Sequence, residues 1–121
     1  MTTTNEPIAP SDITATYFRS WVAHDWDALR AVLADDVTFE GPMATIHGGD
    51  QALEGLRGMS QILDHVEVQH VFIDGDDVLT WFDLHTKVAD PVPTANWSHV
   101  EEGRITRIRV VFDARSLAPP D

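Results

Sequence analysis

The chain has 121 residues, 43% of them hydrophobic, a formal net charge of −12 and no cysteine. That length makes one domain with a sizeable core. The charge repels a phosphate backbone or an anionic membrane, which excludes a nucleic-acid binder, and the missing thiols exclude disulfide and cysteine chemistry.

Residues 1–10 are polar and carry Pro7 and Pro10, so a flexible N-terminus is expected. The stretch has neither the basic nor the apolar region of a signal peptide. No apolar run approaches the ~20 residues of a membrane span. The cytoplasm is the expected compartment.

Ser11 is placed as the N-cap of a first helix over Asp12–Ala23, with Ile13, Tyr17 and Trp21 at helical spacing and Phe18 and Val22 beside them. Asp25 caps a short second helix, expected to end at Ala34, with Trp26, Leu29 and Leu33 as its stripe. Val37–Gly41 alternates as a strand and stops at Gly41-Pro42. Gly48-Gly49 opens a third helix over Asp50–Leu63, with Leu53, Leu56, Met59 and Leu63 on one side. The remainder reads as strands. These are Val66–Ile73, Val78–Val88 after the turn Asp74-Gly75-Asp76, Thr94–Glu101 after a loop centred near Val92, and Ile105–Phe112 after the tight turn Glu102-Gly103. A flexible tail is expected over 114–121, leaving one domain over 11–113.

Three helices followed by antiparallel strands make an α+β fold, with the helices on one face of a strongly curved sheet, a cone that leaves a concave ligand cavity. Strand alternation separates two faces. Val78, Thr80, Phe82, Leu84 and Thr86 form one face of their strand, and Leu79, Trp81, Asp83, His85 and Lys87 the other. In the last strand Thr106, Ile108, Val110 and Phe112 oppose Ile105, Arg107, Arg109 and Val111. The first set of each is the more apolar and is expected to line the cavity, with Asn96 and Ser98 on the same side. The outer face combines Trp81 and Trp97 with His85 opposite His99, an aromatic surface suited to a second copy of the chain. A bulge or a one-residue slip would exchange the faces and bring Asp83 inward. His65 and His70 have opposite parity, and His85 with His99 lacks a third ligand, so no metal site and no cofactor are expected. No phosphate loop, dinucleotide fingerprint or Gly-x-Ser-x-Gly is present.

The stretch Tyr17…Asp25-Trp26-Asp27…Ala34-Asp35-Asp36-Val37-Thr38-Phe39-Glu40-Gly41-Pro42 resembles the first third of the ketosteroid isomerases. Glu102-Gly103-Arg104-Ile105…Arg109-Val110-Val111-Phe112 is similar to their final hairpin. The resemblance, over about Ser11–Phe112, is to ketosteroid-isomerase-like and polyketide-cyclase-like domains of the nuclear transport factor two superfamily, a cone-shaped, cystatin-like roll. It implies that Tyr17 is an oxyanion donor. Asn96 stands where the isomerases hold a protonated aspartic acid, and asparagine donates with no pKa shift. Gly41 stands at the catalytic base and cannot move a proton. Of the epoxide-hydrolase pattern only Asp83 is kept. His47 and Asp83 are the substitute bases.

The resulting expectation is a cofactor-independent isomerase, cyclase or dehydratase for a hydrophobic carbonyl compound. Trp21, Phe39, Gly41, Phe82, Leu84, Val110 and Phe112 would bind the substrate, and the protein would be a homodimer through the outer sheet face. The alternatives are a non-catalytic module for a small hydrophobic ligand, favoured by the missing base, and a dimeric interaction domain.

Overall fold

The computed structural model describes residues 9–116. The expected flexible ends, 1–10 and 114–121, lie mostly outside them. Within the described residues Pro10 already begins a helix and Ala114–Ser116 forms a 3₁₀ turn. The order is α1 (Pro10–Ala23), α2 (Trp26–Val32), β1 (Leu33–Glu40), β2 (Thr45–His47), α3 (Gly49–Ser60), β3 (Leu63–Asp74), β4 (Asp77–Thr86), β5 (Val92–Glu101) and β6 (Arg104–Val111). The six strands form one sheet in the order β2-β1-β6-β5-β4-β3, and the helices pack on its concave side. The α+β architecture is as expected, but the sheet is mixed, because β1 runs parallel to β6 while the other pairs are antiparallel. No helix among the described residues is long and apolar enough to cross a membrane.

Helix α1 starts earlier than expected. Ala9 is its N-cap and Pro10 takes the first helical position, where its fixed φ and missing N–H cost nothing. Ser11 therefore lies inside the helix. The stripe of Ile13, Tyr17, Phe18 and Trp21 is buried, and the Trp21 indole N–H donates to the Leu56 carbonyl at 2.8 Å, tying α1 to α3. His24 turns the chain at φ 61°, and Asp25 caps α2 by accepting from the Ala28 N–H at 3.2 Å.

Helix α2 ends at Val32, two residues before the expected stop, because Leu33 is drawn into the sheet beside Ile105. Arg30 fastens this corner. It donates to the Leu33 carbonyl at 2.9 Å, to Asp35 at 2.7 Å and to Asp50 at 2.9 Å, joining α2, β1 and α3. Its guanidinium lies against Gly49, where a Cβ would come within 2.6 Å, so the close approach depends on glycine. Helix α3 is shorter than expected, and β2 is a strand that sequence reading leaves as loop.

Three of the strand expectations shift. The β4–β5 hairpin is centred on Val88, not Val92, because buried Val92 is already in β5 opposite Leu84. The displacement is an even number of residues, so the two faces survive while the partners change. His85 consequently faces His65, with the rings stacked 4.0 Å apart, and His99 lies opposite Asp77. A bulge between Val68 and His70 reverses parity along β3, so His65 and His70 share the outer face after all, opposite His85 and Trp81. A second bulge, where β5 His99–Val100 meets β6, brings Ile105 inward and fully buries it, although alternation alone groups it with Arg107 and Arg109. At the tip of this hairpin Glu102 (φ 52°) and Gly103 (φ 77°) both adopt the positive φ that a two-residue primed turn needs.

Candidate active site

The concave side of the sheet and the helices enclose a cavity of about 440 Å³. Tyr17 and Trp21 enter it from α1, Ala52, Leu56 and Met59 from α3, and Phe39 and Ile46 from β1 and β2. Phe82 and Leu84 come from β4, Thr94 and Asn96 from β5, and Val110 and Phe112 from β6 and its end. The bend Gly41–Ala44 forms part of the rim, held by the Gly41 N–H donating to the Ala44 carbonyl at 2.9 Å. Alternation explains which strand residues arrive here: Phe39, Phe82, Leu84, Asn96 and Val110 are inward positions whose neighbours Glu40, Trp81, Asp83, Trp97 and Arg109 point outward.

The polar groups in the deep part are few. Thr94 spends its hydroxyl on the Val92 carbonyl at 2.9 Å. Tyr17 and Asn96 are both fully buried. The Tyr17 ring is held edge-on by Phe18, centroids 4.9 Å apart, and Phe18 in turn packs on Phe82 at 5.1 Å. Burial pushes the Tyr17 pKa far above the ordinary 10.0, and the Asn96 side chain beside it offsets part of that rise. At neutral pH the phenol is therefore a protonated donor in an apolar surrounding. Asn96 accepts a hydrogen bond from the buried Ser98 hydroxyl at 3.0 Å.

The substitute bases are not in this cavity. His47 is exposed and lies opposite Thr38, while its neighbour Ile46 points inward. Asp83 occupies the outer face opposite Glu67 and Pro93, within 3.3 Å of Gln69. The bulge that would have turned it inward falls in β3, not β4. Glu40, next to Gly41, also faces out, 3.4 Å from Arg107 and 3.8 Å from Arg109. Among the described residues that line the cavity, Glu54 is the one carboxylate. It lies on α3 at the mouth, largely solvated, 3.4 Å from Arg57. Sequence reading passes over Glu54 because an exposed glutamate one turn before an arginine looks like a helix-surface pair. No three His, Asp or Glu among the described residues group to hold a metal ion.

Three helices under a curled mixed sheet thus close on a largely apolar cavity with a buried tyrosine in its wall. The family profile described as SnoaL-like domain matches residues 14–108. The chain belongs to this SnoaL-like family. Within its wider nuclear transport factor two-like fold, solved structures are similar over most of their length. A protein from Kribbella flavida DSM 17836 is 28% identical, with 88% of each chain covered and a TM-score of 0.82. An epoxide hydrolase of M. tuberculosis, LEH-like, is 25% identical, covering 88% of this chain and 84% of its own, TM-score 0.76. A Sinorhizobium meliloti protein provisionally named a polyketide cyclase is 25% identical, covering 82% and 93%, TM-score 0.76. Among curated proteins none matches the chain. The SnoaL-like fold thus carries hydrolase, cyclase and isomerase names among its solved members, and the activity of this domain has to be argued from its own cavity.

Proposed function

We propose that this SnoaL-like domain is a cofactor-independent enzyme of the isomerase, cyclase or dehydratase kind, acting on a hydrophobic, cyclic carbonyl compound. The observation that carries the reading is the pair Tyr17 and Asn96, buried together in the wall of an otherwise apolar cavity. Donors aimed at a carbonyl oxygen in a dry site stabilise the charge that develops when the neighbouring carbon loses a proton. His47 and Asp83 stand off the cavity, so the proton transfer is assigned to Glu54 at its mouth. Its exposed contact with Arg57 is weak enough to break as the side chain swings in. In an isomerisation the Glu54 carboxylate takes the proton from the carbon next to the carbonyl. The C–H pair moves into the enolate, and the same proton returns to the far carbon of the double bond, so nothing is oxidised or reduced.

A β,γ-unsaturated cyclic ketone tests this, because its conjugated product is read directly by ultraviolet absorbance. Tyr17→Phe and Asn96→Ala are each expected to lose about 10²–10³ in kcat, and Glu54→Gln is expected to abolish the residual proton transfer. Wild-type rates in all three variants would overturn the mechanism. Binding of the ketone without turnover by the wild type would favour the module that binds and does not react.

The outer sheet face supports a homodimer beside this activity. Phe72, Leu79, Trp81 and Val111 are exposed there, and Trp97 lies among them under Arg107 at 5.4 Å. Arg107 and Arg109 flank this apolar strip on β6, and Glu67 and Asp83 flank it on β3 and β4. Under a two-fold axis each copy's arginines meet the other's carboxylates. Sedimentation across a dilution series should show a dimer that Trp81→Lys converts to a monomer; a wild-type monomer at every concentration would remove the proposal.

A further inference from the structure

Behind the cavity wall lies a polar row. Asn96 and Ser98 are both inward positions of β5, and the Ser98 side chain is fully buried, its hydroxyl 3.0 Å from the Asn96 Oδ1. Ser98 takes no part in lining the cavity, and the proposed chemistry leaves it unused. Its cross-strand neighbour row is no help to Asn96: Thr80, paired with Asn96 across β4–β5, keeps a buried hydroxyl with no partner. Ser98 is therefore the side chain that orients the Asn96 amide.

An asparagine amide has two orientations, and they make opposite sites. With Oδ1 towards Ser98, the serine O–H donates to it, one amide N–H is left for the Tyr17 oxygen and the other for the cavity, and the Tyr17 proton is free for a ligand. With the amide reversed, Ser98 accepts from one N–H and its buried proton loses the acceptor it has here, while the Tyr17 proton is spent on Oδ1 instead of a ligand. A buried hydroxyl proton without an acceptor is the costly arrangement, so the first orientation prevails. Asn96 stands beside the Tyr17 phenol and offsets part of the rise that burial imposes on it.

We propose that Ser98 is a positioning residue. It sets a one-way relay, Ser98 to Asn96 to Tyr17, that ends in donors only, so the cavity takes ligands whose buried end is a hydrogen-bond acceptor, a ketone or the enolate formed from it. The proposal rests on the reading of Tyr17 and Asn96 given above. Bonds aligned in one direction polarise each other and strengthen the last donor.

The probes are 2-decalone and decalin, which share a skeleton and differ by the carbonyl. Tyr17 is the single tyrosine of the chain, so one ¹³C-labelled tyrosine resonance reports its hydroxyl, and infrared spectroscopy reports the bound carbonyl. In the wild type, 2-decalone should bind more tightly than decalin with its carbonyl stretch moved to lower frequency. Ser98→Ala should weaken 2-decalone roughly three- to tenfold, leave decalin unchanged, reduce the carbonyl shift and move the tyrosine Cζ resonance. Ser98→Cys, close in size and a poorer donor, should fall between, and it stands in if the alanine variant does not fold. A changed Ser98 with the carbonyl shift and tyrosine resonance of the wild type would overturn the relay while leaving the donor pair standing. A wild type that shows no carbonyl shift and no preference for the ketone would overturn the donor pair and the relay with it.

Discussion

Gly41→Asp is expected to raise the isomerisation of a β,γ-unsaturated cyclic ketone by about 10²–10⁴-fold, the range a positioned general base supplies. Gly41 lines the cavity whose wall holds Tyr17 and Asn96. A Cβ there meets Phe39 Cε1 at 3.5 Å, the Ala44 carbonyl at 3.9 Å and Val110 Cβ at 4.0 Å, all ordinary contacts. Its backbone is outside the left-handed region, so an L side chain fits without strain. The apolar lining would raise the new carboxyl's pKa towards neutrality, where a base is most effective. Gly41→Asn is the control, since it has the same shape and cannot take up the proton. An aspartate variant that folds and binds the ketone, yet turns over no faster than the asparagine variant, would show that the donor pair does not face the reacting carbonyl. The wild-type glycine puts no side chain into that space, which is why proton transfer is assigned to the cavity mouth.

Ile105→Ala is expected to cost about 2–5 kcal/mol of stability, a large share of the ~5–15 kcal/mol that holds a domain of this size. Ile105 is fully buried, opposite Leu33 on β1 and Val100 on β5. Arg107→Ala, two residues away on the exposed face, is expected to change stability by no more than roughly 0.5 kcal/mol, because its contact with Glu40 at 3.4 Å is solvated. Urea denaturation of the two variants reads the difference. The comparison tests the bulge, since an unbroken β6 would place both side chains on the outer face and make both replacements cheap. Similar small losses in the two would contradict the buried register.

The helices were the readily legible part of the sequence. The stripe Ile13, Tyr17, Phe18 and Trp21 follows the helical period, and Asp25 and the Glu102-Gly103 turn are local signals satisfied by local atoms. The cavity face of β4 was legible for the same reason: Phe82 and Leu84 alternate with Trp81 and Asp83 without a bulge in that strand. What alternation missed lies past a bulge. His70 and Ile105 each changed face because one extra residue in a strand reverses every side chain beyond it. The three residues of β2 gave too short a pattern to read, and the β4–β5 partners depended on where buried Val92 enters the sheet.

The sequence by itself determined the fold class, the buried tyrosine on α1, and an acidic chain with no thiol to use. Each of these is set by residue identity or by a period of a few residues. Tertiary structure alone decided that His47 stands outside the cavity, that no bulge in β4 turns Asp83 inward, that Glu54 reaches the cavity mouth, and that Ser98 hydrogen-bonds to Asn96. Those relations depend on strand register and on helix placement over the sheet, and both are settled by packing between residues far apart in the chain.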